Sequence, residues 1–169
     1  MNKKIIYIFI LLLIVFISGC VSTPDTDSGI WVTSLSESVT RYYIPATTWQ
    51  EKTSRSVSCR IDMTYLDEPE RPVVCNISFF NNSMLPKEIS SVYFIADGIN
   101  YPLINVTTMF TRTERNEHRI TSIMEIDKLL KIFNAENFLM IAIIDSTEYT
   151  FEPNNEFLRY SRQFYNYCL

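Results

Sequence analysis

Hydrophobic and polar positions along this chain fall into three kinds of run. The first is continuous: after Lys3 and Lys4, the 13 positions from Ile5 to Ile17 are all apolar. The second alternates with period two, the mark of a strand with one buried face. In 56–65 (SVSCRIDMTY), Cys59, Ile61, Met63 and Tyr65 share a face, and in 72–80 (PVVCNISFF) Val73, Cys75, Ile77 and Phe79 do. The turn-rich Asp67-Glu68-Pro69-Glu70 between these runs predicts a hairpin. Residues 91–96 and 99–104 flank Asp97-Gly98, a pair suited to a two-residue hairpin turn because both residues tolerate positive φ. Pro102 has no amide donor, so its strand belongs at an edge or at an irregularity. Residues 138–144 (FLMIAII) are apolar on both faces and predict a central strand covered on each side. After a turn at Asp145-Ser146-Thr147, 148–152 (EYTFE) returns as a third hairpin.

The third kind of run has helical spacing. Leu129, Leu130, Ile132 and Phe133 form the stripe of a short helix that Asp127 can cap and that ends near Asn134. Phe157, Tyr160, Phe164 and Tyr167 mark a last helix after Pro153, with Asn154 or Asn155 as cap and Glu156 at its positive end. Two stretches are less regular. Residues 30–50 mix aromatics with Ser and Thr, which predicts an irregular lead-in strand clamped to the core by Trp31 and Trp49. Residues 112–119 (RTERNEHR) are densely charged and read as a solvated connection into a further strand over 120–126. The expected fold class is α+β: a mostly antiparallel β-sheet or small sandwich built from hairpins, with one short helix and a C-terminal helix.

The apolar run at the start changes the picture of what reaches the folded state. A positive start, an apolar segment and small residues before Cys20 have the three parts of a secretory signal. As helix the run spans roughly 20 Å against a hydrocarbon core of about 30 Å, too short for an uncut membrane anchor. Ile17-Ser18-Gly19-Cys20 resembles the lipobox of bacterial lipoproteins, in which an aliphatic residue and two small residues precede the cysteine. The resemblance implies that the Cys20 thiol takes a diacylglyceryl group, that residues 1–19 are a cleaved signal peptide, and that the new amino terminus is acylated. Two or three acyl chains on one residue would hold the protein almost permanently to a bilayer. Many enterobacterial lipoproteins kept in the inner membrane carry Asp where this chain has Val21, so the resemblance favours outer-membrane sorting, with the domain in the periplasm or on the cell surface. Residues 20–29 are then a lipidated tether of about 15–18 Å root-mean-square reach, and 30–169 form a single β-rich domain.

Composition narrows the function. Without the signal the net charge moves from −4 to −6, a poor match for phosphate backbones or anionic lipid, so nucleic acid is not an expected partner. The mature chain keeps only Gly29 and Gly98, which excludes a glycine-rich phosphate loop. No Ser lies in the Gly-x-Ser-x-Gly elbow of serine hydrolases. The one histidine, His118, has no cysteine near it in sequence and reads as structural, not as a metal ligand or catalyst. No catalytic, metal or cofactor site is expected.

Cys59, Cys75 and Cys168 remain once Cys20 is lipidated. Cys59 and Cys75 share a face of the first predicted hairpin. They can form a cross-strand bridge, worth about 3 kcal/mol for its 15-residue interval, or pack as two buried free thiols. Cys168, beside the C-terminus, reads as a frayed tail or as an intermolecular partner. Tyr165 with Trp31, Tyr42 and Tyr43 forms a candidate partner patch outside the helical stripe. The order IDKLLKIF, NFLMIAII, TEYTFE, NEFLRYSRQFY resembles the C-terminal half of many small exported bacterial proteins, uncharacterised as a group, and implies a fold without an activity. The expected function is a lipid-anchored cell-envelope protein acting by binding or structural contact. Its partners would be the membrane, through the lipid on Cys20, and an envelope protein, with the oligomeric state left open. The alternative is a hydrolase-like envelope enzyme whose site forms only in three dimensions.

Overall fold

The computed structural model describes residues 29–53, 56–82, 85 and 88–169. The expected signal helix, the lipobox with Cys20 and the tether up to residue 28 lie outside the described residues. Ten strands, two α-helices and one 3-10 turn are formed among the described residues. The strands are β1 Trp31–Ser34, β2 Thr40–Glu51, β3 Val57–Leu66, β4 Val73–Asn81, β5 Ile89–Ala96, β6 Ile99–Pro102, β7 Ile104–Arg112, β8 Glu117–Met124, β9 Phe138–Ile144 and β10 Thr147–Glu152. The helices are α1 Ile126–Asn134 and α2 Asn155–Tyr167.

All pairings are antiparallel, in the order β6-β5-β9-β10-β2-β3-β4-β8-β7, with β1 added to β2. The two ends of this path, β6 and β7, are separated in sequence by Leu103 alone. The ribbon therefore curls until its ends belong to one broken strand, and the sheet is nearly closed and barrel-like, not two stacked sheets. Its thinnest seam lies between β10 and β2, which share only the pairs Phe151↔Glu51 and Glu152↔Gln50. Beside this seam α1 and α2 pack on each other and complete the core with aromatic rings. Trp49 on β2 meets Phe157 of α2 edge-on at 4.7 Å, and Phe133 of α1 meets Phe157 and Phe164 at 5.8 Å each. Phe164 in turn reaches Tyr42 and Tyr65 at 6.0 Å.

Local signals placed the hairpins well. Asp97 and Gly98 take φ of 48° and 81°, and Asp145 and Ser146 take 49° and 65°, so both turns use the mirror-image geometry that matches strand twist. β9 is interior, between β5 and β10. The Asn154 side chain caps α2 by accepting from the Phe157 amide at 2.8 Å.

Other expectations are corrected. Residues 30–50 are not an irregular lead-in but a β1–β2 hairpin whose second strand is central. A bulge at Pro45-Ala46 shifts the register between Ile44 and Thr47. It frees the missing proline donor from the ladder and flips the alternation, which is why the run reads as patternless. Trp49 is fully buried, whereas Trp31 is 55% exposed and clamps nothing. The 99–104 run breaks at Leu103 into β6 and β7. RTERNEHR is a tight turn, with Asn116 at φ 46°, that already starts β8 at Glu117. Asp127 lies in the first turn of α1 while Glu125 is its N-cap, without a side-chain cap bond. In α2 the fourth buried position is Ser161, and Tyr167 is 45% exposed.

The described chain begins at a tightly packed point. Gly29 has φ 73°, and a Cβ there would lie 2.0 Å from the Tyr160 ring, so both the backbone and the space require glycine. Ile30 follows, fully buried. Gly29 and Ile30 thus lie beside α2, just ahead of β1.

Candidate functional site

The three cysteines of the domain are free thiols. The register pairs Cys59 with Phe79 and Cys75 with Met63, so the two cysteines share the inner face but stand four positions apart along the hairpin. Four residues of strand span about 13 Å, and a disulfide needs Cα atoms within about 7 Å. The bridge left open by sequence is therefore not formed, and the packed-thiol alternative describes both residues. Burial pushes the Cys59 thiol well up and the Cys75 thiol up to about 12, with Asp62 adding to the latter. Burial and then Asp67 raise Cys168 to about 11. A thiol reacts as its thiolate, so iodoacetamide at about pH 8 should leave Cys59 and Cys75 unmodified in the native protein and label Cys168 slowly, with all three labelled in denaturant. Intact mass reads the result; rapid native labelling of Cys59 or Cys75 would contradict it. A thiol pKa raised by folding contributes stability that is intact below the unfolded value near 9. That contribution falls as pH rises from there toward about 12 for Cys75, because the unfolded chain ionises first.

His118 is a core residue of β8, with Nε2 3.0 Å from Thr108 Oγ1. It faces the interior beside Phe79 rather than a cleft. No group of three or more His, Cys, Asp or Glu is placed to hold a metal among the described residues.

The chemistry that sequence reasoning missed lies at one end of the barrel. The β3–β4 connection and the start of α1 enclose a cleft of about 540 Å³ lined by Tyr65, Asp67, Glu68, Glu70, Arg71, Glu125 and Asp127, among others. A smaller hollow of about 320 Å³ continues past Asp67 to Tyr42, Tyr167 and Cys168. Two of these carboxylates are in ion pairs, Glu68 with Arg71 at 2.8 Å and Glu125 with Lys128 at 2.9 Å. Tyr65 and Tyr42 are stacked at 6.1 Å. Both phenols are raised above 10, first by burial, with Asp67 and Cys168 adding to each. Tyr65 also hydrogen-bonds Asp67. The cleft thus presents carboxylate acceptors over protonated phenols and a protonated thiol. Such a surface receives hydrogen-bond donors or positive charge; its thiol and phenols are held in their non-nucleophilic forms. Its residues come from four separate parts of the chain, and only the clustering of acids at 67–70 was visible in advance.

A second polar cluster sits on the outer face of the sheet. Arg119 of β8 donates from Nη2 to Asp62 Oδ1 at 2.6 Å and from Nη1 to Ser78 Oγ at 2.9 Å, and Asn76 Nδ2 donates to Asp62 Oδ2 at 2.9 Å. Tyr43 lies close enough that Asp62, after burial, raises its phenol. Of the patch expected from sequence, Trp31 and Tyr43 stand together, with ring centroids 5.4 Å apart. Tyr42 instead packs inward on Tyr65 and Phe164, and Tyr165 packs against the core. No family model, curated protein or solved structure matches the chain.

Proposed function

We propose that this chain is a lipid-anchored cell-envelope protein whose barrel-like domain works by binding, not catalysis. The observation that carries the proposal is the spacing between a secretory signal ending in Ile17-Ser18-Gly19-Cys20 and the first packed residues of the fold. Gly29 is locked against Tyr160 and Ile30 is buried, which leaves the eight residues 21–28, mostly polar or small, between the cysteine and the fold. A Pro/Gly-punctuated segment of that length reaches about 15–18 Å on average, so the domain would stand close to the bilayer that holds its lipid. Binding is supported over catalysis by the end cleft, whose acids, phenols and thiol suit recognition of a donor-rich or positively charged group.

Membrane fractionation of cells producing the full chain tests the anchor. The wild type is expected in the membrane fraction as a processed, acylated species. Cys20→Ala is expected to remain unprocessed and unacylated, because the thiol that would carry the lipid, and before which the chain would be cut, is gone. A processed Cys20→Ala protein, or a wild-type chain with an unmodified thiol at position 20, would overturn the proposal.

A further inference from the structure

Helix α2 carries on its outer side a groove of about 380 Å³, lined by Asn155, Leu158, Arg159, Arg162, Gln163 and Asn166. These positions recur at three and four residues, so they share the face of the helix opposite the stripe of Phe157, Tyr160, Ser161 and Phe164 that packs on the core. Arg159 and Arg162 are exposed and have no ion pair among the described residues. Gln163 is half-buried, and its Oε1 is shut off from solvent without a hydrogen-bond donor among the described residues. The groove therefore offers two cations and an acceptor in need of a donor.

The described chain starts on the flank of this groove. A Cβ on Gly29 would lie 2.0 Å from Tyr160 Cε1, and the Arg159 guanidinium sits over the same ring, 5.1 Å from its centre. Gly29 and Arg159 thus meet through one side chain. Ahead of Gly29 the sequence reads Asp25-Thr26-Asp27-Ser28. The Cα of Asp27 lies within about 7 Å of that of Gly29 in any backbone conformation, a distance that a long arginine side chain covers. In an extended segment Asp25 and Asp27 project to one side about 7 Å apart, and Arg159 and Arg162, at i and i+3, have Cβ atoms about 5–6 Å apart. The spacings are alike and the charges opposite. Glu156 is the only acid in α2, and it accepts from the Tyr160 hydroxyl at 2.7 Å. Asp97, Glu136 and Glu152 share the neighbouring cleft with Arg162. There Asp97 accepts from the Glu136 and Asn137 amides and Glu152 is paired with Lys52 at 2.8 Å. Arg159 does not line that cleft.

We infer that residues 25–28 dock in this groove as a strap, with Asp27 on Arg159, Asp25 on Arg162, and a backbone N–H of the segment donating to Gln163 Oε1 once that amide turns about its last torsion. Exposed ion pairs are individually weak. Here the covalent link through Gly29 makes the pairing intramolecular, so weak pairs suffice. The free tether then shrinks to the four residues 21–24 between Cys20 and the strap. In the anchored reading above, that length turns the α2 flank of the domain toward the bilayer and fixes the attitude of the hollow that Tyr167 and Cys168 border at the end of α2. The strap itself needs no lipid.

A protease that cuts on the amino side of aspartate reports the strap, because its sites include Asp25 and Asp27. Protein produced in cells from the full chain and held in detergent is digested briefly under native conditions at low salt, and the masses of the released amino-terminal fragments give the rate. Arg159→Gln with Arg162→Gln, both at exposed positions, is expected to speed these cuts about fivefold. Salt at about 1 M should speed them in the wild type and not in the double variant, since only the wild type has pairs to screen. Zero-length carbodiimide coupling of the Arg159→Lys protein locates the contact: the Asp27 carboxylate and the introduced amine are expected to join as an amide, with loss of water, within one chain. The 2.8 Å pair of Lys52 and Glu152 is the internal control. Equal cutting rates in wild type and variant, or a Lys52–Glu152 link without one from the segment to α2, overturn the strap. A link found only between labelled and unlabelled copies in an isotopic mixture also overturns it, assigning the groove to a second copy. The acyl mass on Cys20 is read from the same fragments, and its absence overturns the anchor while leaving the strap to its own result.

Discussion

Trp49→Ala is expected to lower the stability of the domain by about 4 kcal/mol, the cost of removing a fully buried large aromatic. Trp49 is 0% exposed and touches rings from three other elements: Phe157 of α2 at 4.7 Å, and Phe94 of β5 and Phe138 of β9 at 6.1 Å each. Its ring joins β2 to β5, β9 and α2, so the hole would open beside the seam where β2 and β10 share only two residue pairs. A domain of this size has about 5–15 kcal/mol in total, so the urea midpoint should fall by about a quarter or more with its slope unchanged. Trp49→Phe should cost far less. The indole Nε1 has no hydrogen-bond partner among the described residues, and phenylalanine keeps most of the contact while removing a buried donor whose desolvation costs about 1–3 kcal/mol. Trp31→Ala, at a 55% exposed position, should move the midpoint by under about 0.5 kcal/mol. An equal loss from the two tryptophans would show that the described packing is wrong.

The contrast between these two residues shows how far the sequence could be read. Both tryptophans lie in the same Ser/Thr-rich stretch, and nothing local tells them apart. Trp49 is turned inward by the bulge at Pro45-Ala46, which inverts the alternation along β2, and by the pairing of β2 with strands some 15 and 100 residues away, whereas Trp31 sits on β1 opposite Tyr43, before the bulge. Hairpins were legible because their determinants are short: Asp97-Gly98 and Asp145-Ser146 adopt the positive φ that their composition allows. Strand order was not, since β5 beside β9 and β10 beside β2 leave no mark within either strand. The cysteines illustrate the same limit. Alternation placed Cys59 and Cys75 correctly on the inner face, but the register of the hairpin decided that they meet Phe79 and Met63 instead of each other.

Candidate chemistry follows the same division. The proposed lipobox rests on four adjacent residues, Ile17 to Cys20, whereas the end cleft joins Tyr42, Tyr65 and Asp67 to Glu125, Asp127 and Cys168 across a hundred residues. RTERNEHR misled because a high density of charge usually means solvent. Here Glu117 and His118 are buried, the first paired with Arg112 and the second beside Thr108. Charge in a short segment reports composition, and only the partner strand reports burial.

Arg119→Ala is the second substitution of large expected effect, at about 3–5 kcal/mol. The Asp62 and Arg119 side chains are 7% and 19% exposed, and the guanidinium satisfies both Asp62 and Ser78. Removing it strands a buried carboxylate with Asn76 as its remaining donor. The control is Lys52, whose ion pair with Glu152 is equally short at 2.8 Å but more than half exposed on both sides; Lys52→Ala should cost under about 1 kcal/mol because solvent already screens that pair. Replacing both buried partners, Asp62→Leu with Arg119→Met, should recover most of the loss, since two apolar groups of similar size leave no uncompensated charge. A double-mutant cycle in urea therefore separates the cost of isolating Asp62 from the net worth of the pair.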